Sequence, residues 1–241
     1  MRRRPATGVA LVLVLGSCAS GGGTGMVDDD TAGSDATVGD VLVATDAALA
    51  GSVRIEASGC GPTERNGMAT SIDDGLLVTA AHVVAGADTV EVVDADGRHS
   101  TAEVVTFDPV LDIAALRAAD AHLATVPIRQ ERAATDERGA IVVSDEGDAL
   151  DWLEVTVVRR ATIETTDIYR DAEVTRAGFE IEARIEPGDS GAAVHLPGGI
   201  AGIVWARSTV NPDRAWAIDI PDHFLDEARA ADSPVDTGPC P

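Results

Sequence analysis

Glu186-Pro187-Gly188-Asp189-Ser190-Gly191, running into the apolar Ala192-Ala193-Val194, is the stretch on which the reading of the chain turns. A glycine at 188 is free to take φ > 0, so that successive backbone N–H groups point into one concavity. Such a concavity binds the oxygen that becomes negative when a hydroxyl, here that of Ser190, attacks a carbonyl. Gly191 leaves the backbone beside the serine uncrowded. Taken alone, the hexapeptide is also good β-turn composition, and a surface loop without chemistry accounts for it equally well.

A serine hydroxyl is a poor nucleophile unless a base takes its proton and a third group holds that base. The chain supplies both. Thr79-Ala80-Ala81-His82-Val83-Val84 follows the apolar run Leu76-Leu77-Val78, with small neighbours that let the imidazole pack closely. Asp112 opens Asp112-Ile113-Ala114-Ala115-Leu116, an apolar strand where an unpaired carboxylate is costly and orienting an imidazole explains its presence. Asp108, just before Pro109, reads as a turn residue. His99, His122, His195 and His223 lack a comparable setting and lack metal-ligand spacing with one another, so no metal or cofactor is assigned. The histidine and aspartate fall in one half of the domain and the serine in the other, which places a site in the crevice between halves.

Length and composition set the frame. A chain of 241 residues, 45% hydrophobic, builds one sizeable domain or two small ones sharing an interface. The 41 acidic residues outnumber 18 basic ones, all of them arginine, for a net charge of −23. So acidic a chain argues against nucleic acid and anionic membrane surfaces as partners. With aromatics at 3%, the core has to come from Val, Ile, Leu and Ala.

Residues 1–18 read as an export signal: Arg2-Arg3-Arg4, the apolar run Val9 to Leu15, then Leu15-Gly16-Ser17 before Cys18. The apolar run is too short for a permanent membrane span. Leu15-Gly16-Ser17-Cys18 resembles the bacterial lipobox, which predicts lipidation of Cys18; a plain signal peptide cleaved nearby is the alternative. Residues 19–50 read as an acidic, Gly-rich flexible linker. Two cysteines then remain, Cys60 and Cys240, and outside the cytosol such a pair is expected to form a disulfide.

From residue 51 the pattern is short strands separated by turn signals, an all-β arrangement. Leu76–Thr79, Thr89–Val93, Ala102–Phe107 and Ile113–Arg117 are the strands expected in the first half, with Asp94-Ala95-Asp96-Gly97 as a hairpin turn. Ala140–Val143, Leu153–Arg160, Phe179–Ala183, Ala192–Leu196, Ile200–Trp205 and Ala215–Ile218 are those of the second. The polar stretch Arg129 to Arg138 reads as the link between halves. Pro221–Ala230 is a helix, with proline in its first turn and Phe224, Leu225 and Ala228 on one face.

Thr79-Ala80-Ala81-His82, Asp112-Ile113-Ala114 and Gly188-Asp189-Ser190-Gly191, in that order, resemble the motifs of the chymotrypsin-like (trypsin-like) serine proteases. More closely, about 52–241 is similar to exported actinobacterial serine proteases linked to acid resistance, whose protease domain follows membrane-spanning helices. Ala81-His82-Val83-Val84, Asp167-Ile168-Tyr169-Arg170 and Gly238-Pro239-Cys240 carry that likeness. The resemblance implies two six-stranded antiparallel barrels, about 51–128 and 139–220, with a C-terminal helix and tail over 221–241. It implies Ser190 as nucleophile, His82 as general base and then acid, Asp112 as orienting carboxylate, and the N–H groups of Gly188 and Ser190 as oxyanion hole. In that family the late cysteine pairs with one placed like Cys60.

The implied reaction is hydrolysis of a polypeptide through an acyl-enzyme, without metal or cofactor, by an exported protein attached to the membrane only through an N-terminal lipid. A monomer is expected, and no peptide-binding PDZ segment follows the helix. A silent protease-like module that binds peptides is the alternative reading, and an esterase is a third. Three departures stand out. Gly191-Ala192-Ala193 replaces the family's Gly-Gly-Pro, and Gly67-Met68-Ala69-Thr70 stands where Gly-Ser/Thr-Gly-Phe is usual. By the resemblance, Arg184 stands where the family's primary specificity pocket has its base, and there it either favours acidic substrate side chains or faces solvent, paired with Glu182 or Glu186. The resemblance also implies that Trp205 and Arg207 line the wall of that pocket, unless Trp205 serves core packing instead.

Overall fold

Segments whose side chains alternate inward and outward pair edge to edge, and a sheet that closes on itself leaves no open edge. The computed structural model describes residues 46–144 and 149–241, and in it two such closed, antiparallel barrels form. The first contains β1 (Ser52–Ser58), β2 (Arg65–Asp73), β3 (Leu76–Thr79), β4 (Thr89–Val93), β5 (His99–Asp108) and β6 (Ile113–Arg117). Its order is β1-β2-β3-β6-β5-β4, closed by the pairing of β1 with β4. The second contains β7 (Arg138–Ser144), β8 (Leu150–Thr166), β9 (Glu173–Glu182), β10 (Ala193–Leu196), β11 (Gly199–Arg207) and β12 (Arg214–Ile218). Its order is β10-β11-β12-β9-β8-β7, closed by β10 with β7.

Strands β3, β4 and β6 have the limits expected from the sequence, and β5, β8 and β9 run longer. Strands β1 and β2 had no individual expectation, and β2 shows why. Residues 67 to 72 of β2 are all buried, so its two faces carry no contrast. Its polar members are satisfied internally: the Ser52 and Thr70 hydroxyls share a hydrogen bond of 3.2 Å, and Ser71 Oγ donates to Asp73 O at 3.1 Å.

Each barrel has its own aliphatic centre, Val53, Ile55, Leu77 and Leu116 in the first and Ile141, Val157, Ile181 and Val194, with Phe179, in the second. A third cluster joins them. Ile72, Leu76, Val78 and Ile113 of the first barrel meet Ile200, Ile203 and Ile218 of the second, and the helix Asp222–Ala230 covers this seam with Phe224, Leu225 and Ala228. Fully burying each large apolar side chain here contributes about 1.5–3 kcal/mol. Pro221 is the extended N-cap rather than a first-turn residue, at φ −72° and ψ 145°.

The polar link is also pinned. Ile200 N donates to Pro127 O and Arg129 N to Ile200 O, while the Arg129 guanidinium donates twice to Glu137, at 3.0 and 3.2 Å. After the helix the tail returns over the first barrel. Val235 N donates to Val104 O, Gly86 N donates to Thr237 O, and Cys60 and Cys240 form a disulfide. Closing a loop of 180 residues stabilises the fold by at most about 5 kcal/mol in the chain-entropy model.

The export signal, Cys18 and the linker up to residue 45 lie outside the described residues. The expected linker ends earlier than residue 50: residues 46–51 are helical, and Ala48 is fully buried beside Leu49. Ala47-Ala48-Leu49-Ala50 combines high helix propensity with an apolar face for the core.

His195, on β10, is buried, its Nε2 has no hydrogen-bond partner among the described residues, and burial pushes its imidazole down to about 4. The unfolded chain takes up a proton below about 6.5 and the folded chain only near 4, so stability falls as pH drops through that window. The full effect of this one side chain is on the order of 3 kcal/mol. Urea unfolding at pH 7 and pH 4.5 should show that His195→Leu loses less stability on acidification than the parent chain does, by roughly that amount.

Candidate active site

Strand β3 ends at Thr79 and leads through extended Ala80 into the helical turn Ala81–Val84. Ala80, Ala81 and Val84 are fully buried, which anchors the turn and leaves the His82 side chain about 31% exposed on its outer side. Asp112 occupies the position just before β6 and is buried, in a left-handed backbone conformation at φ 61°. Asp108 builds the turn that delivers it, accepting from Val110 N at 2.9 Å and Leu111 N at 2.8 Å, as the sequence suggested for that residue. The Asp112 carboxylate accepts from His82 N at 2.9 Å and lies 2.9 and 3.0 Å from His82 Nδ1. A carboxylate only accepts, so Nδ1 carries the hydrogen and Nε2 is left as the basic nitrogen.

Behind that carboxylate lies a side chain that sequence reasoning passed over. Arg176 comes from β9 of the other barrel, and its guanidinium is buried. Nη1 is 3.8 Å from Asp112 Oδ2, Nε donates to Val110 O at 2.8 Å and Nη2 to Thr166 O at 3.2 Å. Its planar head covers the Trp205 ring, with Cζ 4.7 Å from the centroid. Burial pulls the Arg176 pKa down, opposed by Asp112 and, farther off, Asp108 and Asp167. The signal was its parity: Val174, Arg176 and Gly178 share the more buried side of the first part of β9, opposite to the side on which Phe179 and Ile181 enter the second barrel.

The loop 186–191 begins as a tight turn. Asp189 N donates to Glu186 O at 3.1 Å, with Pro187 and Gly188 between them and Gly188 at φ 106°, the conformation of a type II turn. Asp189 Oδ2 locks the turn from the other side by accepting from Glu186 N at 2.7 Å. Among the described residues, no carbonyl accepts from the N–H of Gly188 or of Ser190. Two main-chain donors flanking Asp189 are therefore without a carbonyl partner among the described residues, as a group that is to receive an oxyanion must be.

This loop is packed directly on the segment carrying His82. Met68 N donates to Ser190 O at 2.8 Å, and Thr79 Oγ1 donates to Met68 O at 2.7 Å. A Cβ on Gly191 would sit 2.2 Å from Met68 O, 2.3 Å from Thr79 Oγ1 and 3.1 Å from Ala80 N. Met68, unusual by the family resemblance, is fully buried, its main chain serving as the joint between the barrels. The Ser190 hydroxyl makes no hydrogen bond to His82 among the described residues; such bonds commonly tighten only when substrate arrives.

Beside the loop is a cavity of about 350 Å³, lined by Arg184, Ile185, Glu186, Arg207, Ser208, Thr209 and Pro212. Arg184 is exposed at its edge, 3.6 Å from Glu186 and 3.8 Å from Asp213, so its charge is shared with carboxylates rather than aimed inward alone. Arg207 lies across from it, exposed. Trp205 is outside this lining. The ladder between β11 and β12 shifts register between Val204 and Ala206, leaving Trp205 at a bulge that turns its ring onto Arg176 and the seam. The remaining histidines are remote in role: His99 Nδ1 pairs with Glu91 at 3.3 Å on the barrel surface, and His195 is buried in the second barrel.

Residues 66–199 match the model of a family described as the trypsin-like peptidase domain, a span that includes His82, Asp112 and Ser190. No curated protein matches the chain significantly. Among solved structures, the chain is similar to the active form of the Rv3671c protease of M. tuberculosis, at 25% identity and a TM-score of 0.76, over 82% of this chain and 88% of that one. The inactive form of the same protease gives 23% and 0.68, over 80% and 95%. The HtrA-type protease AlgW with a tripeptide gives 22% and 0.64, over 77% of this chain and 61% of that one, and shares the fold.

The two loop glycines differ in a way that melting curves resolve. Gly188 has open space where a methyl would stand but a positive φ, so Gly188→Ala should cost about 1–3 kcal/mol of backbone strain. Gly191→Ala adds collision with Met68 O and Thr79 Oγ1 to its φ of 88° and should lose more than about 4 kcal/mol. Equal melting temperatures for the two variants would contradict this packing.

Proposed function

The chain belongs to the trypsin-like peptidase family, and on that premise we propose that it is an exported serine endopeptidase working through Ser190, His82 and Asp112. The observation that carries this reading is the buried carboxylate on His82 Nδ1, together with a loop whose Gly188 and Ser190 N–H groups have no carbonyl partner among the described residues. Ser190 Oγ attacks the substrate carbonyl carbon while its proton passes to His82 Nε2. Asp112 holds the ring in that tautomer and stabilises the imidazolium that forms. The carbonyl oxygen becomes an oxyanion held by the two N–H groups. Collapse breaks the C–N bond, the amine leaves with the proton from Nε2, and the acyl group remains on Ser190. Water then repeats the sequence and releases the acid.

The Cys60–Cys240 disulfide supports export, since such bonds persist outside reducing compartments. Attachment through a lipidated Cys18 completes the proposal for location, with polypeptide as the partner and a monomer as the working form. Pairing of Arg184 with Glu186 and Asp213 weakens any preference of the 350 Å³ cavity for acidic side chains. A second reading, a peptide-binding module without turnover, draws on the unformed bond between the Ser190 hydroxyl and His82.

A fluorophosphonate probe separates the two. Labelling is expected on Ser190, abolished in Ser190→Ala and slowed on the order of 10⁴-fold in Asp112→Asn, where the imidazole loses its tautomer. A folded, disulfide-intact chain that takes up no probe at neutral pH would leave only the binding module.

A further inference from the structure

The geometry points to Arg176 as a positioning residue for the proposed reaction, an inter-barrel strut that holds Asp112 against His82. The inference rests on the reading of Asp112 as the orienting carboxylate. Four contacts fix the guanidinium: the Val110 and Thr166 carbonyls, the Trp205 ring and, at 3.8 Å, Asp112 Oδ2. Arginine suits this place because its planar fork can donate in several directions while one face stacks. Both members of the ion pair are almost fully buried, at 2% and 4% exposure of their side chains. Besides the main-chain and imidazole N–H donors of His82, a carboxylate so far from water gains from a cation close by.

The contact to Val110 O matters as much as the charge. Val110 lies two residues before Asp112, in the same turn, and Asp112 itself holds a left-handed backbone that only surrounding contacts maintain. Arg176 therefore restrains both the backbone that carries the carboxylate and the Oδ2 that the imidazole also contacts. His82 Nδ1 lies 2.9 Å from the same Oδ2, and Asp108 and Asp167 are the other carboxylates near the guanidinium. When His82 gains its proton, Asp112 is shared between two cations. Without Arg176 the carboxylate has one cation and a looser seat.

The test compares the full chain with R176M, which keeps length without charge, and R176K, which keeps charge without the fork. Three readouts are used: peptide kcat and KM, the acid limb of kcat/KM, and the downfield ¹H resonance of the His82 Nδ1 proton, assigned by its loss in His82→Gln. For R176M we expect kcat to fall about 10²-fold with KM nearly unchanged, as for a misplaced catalytic group. The acid limb should move to higher pH, because the imidazolium no longer competes with a second cation, and the downfield resonance should broaden. R176K should recover part of the lost kcat.

If R176M fails to fold, R176K alone decides: a reduced kcat and altered resonance in a chain melting near the parent temperature supports the strut. Parent-like kcat, acid limb and resonance in either folded variant overturns it, as does a loss of rate that tracks melting temperature alone. Should the parent chain show no probe labelling of Ser190, the proposed function fails, and the resonance in R176M still reports whether the guanidinium holds the Asp112–His82 pair.

Discussion

A negative charge kept almost entirely away from water, at Asp112, is the constraint to which much of the molecule is fitted. The carboxylate has one main-chain donor, one imidazole donor and one buried guanidinium nearby, and the imidazole and guanidinium arrive from opposite barrels. Any one of them displaced leaves part of a charge uncompensated, which costs several kcal/mol in such surroundings. The site and the fold are therefore not separable here. What orients the imidazole also fastens β9 of one barrel to the β5–β6 turn of the other.

The seam between the barrels repeats that logic with other groups. Met68 N to Ser190 O joins main chain to main chain, Gly191 admits Thr79 and Ala80 at close range, and Ile168 N reaches Pro109 O from the tip of the β8–β9 hairpin. Tyr169 in the same tip donates to Thr237 O, tying the hairpin to the returning tail. Burial and the neighbouring carboxylates Asp236 and Asp167 raise the pKa of this phenol, keeping it a donor. The third apolar cluster then fills the space beneath, from both barrels and the helix.

Much of this was legible because each residue of the proposed site sits in a short, self-contained phrase. Thr79–Val84 and Glu186–Gly191 can be read without knowing what they touch, and strands β3, β4 and β6 announce themselves by contrast with their turns. Legibility fails where the partner lies far away in sequence. Strand β2 is polar yet buried on both sides, because Ser52, Thr70 and Ser71 satisfy one another or the backbone. Arg176 looks like a solvated strand residue until Asp112 and Trp205 are placed beside it. The family resemblance leaves Trp205 on a pocket wall or in the core, and only the bulge in β11 decides for the seam. Residues 46–51 look like the end of a tether because a run of small residues does not show which face meets a core.

The bond between Cys60 and Cys240 has a consequence for damage. Both barrels, the link between them and the helix lie almost wholly inside one covalent ring of chain. A single proteolytic cut at any peptide from 60 to 240 opens the ring without freeing a piece. The nicked molecule keeps its mass and runs as one band until a reductant is added. Attrition would thus need two separate hits before any part of the ring could drift off.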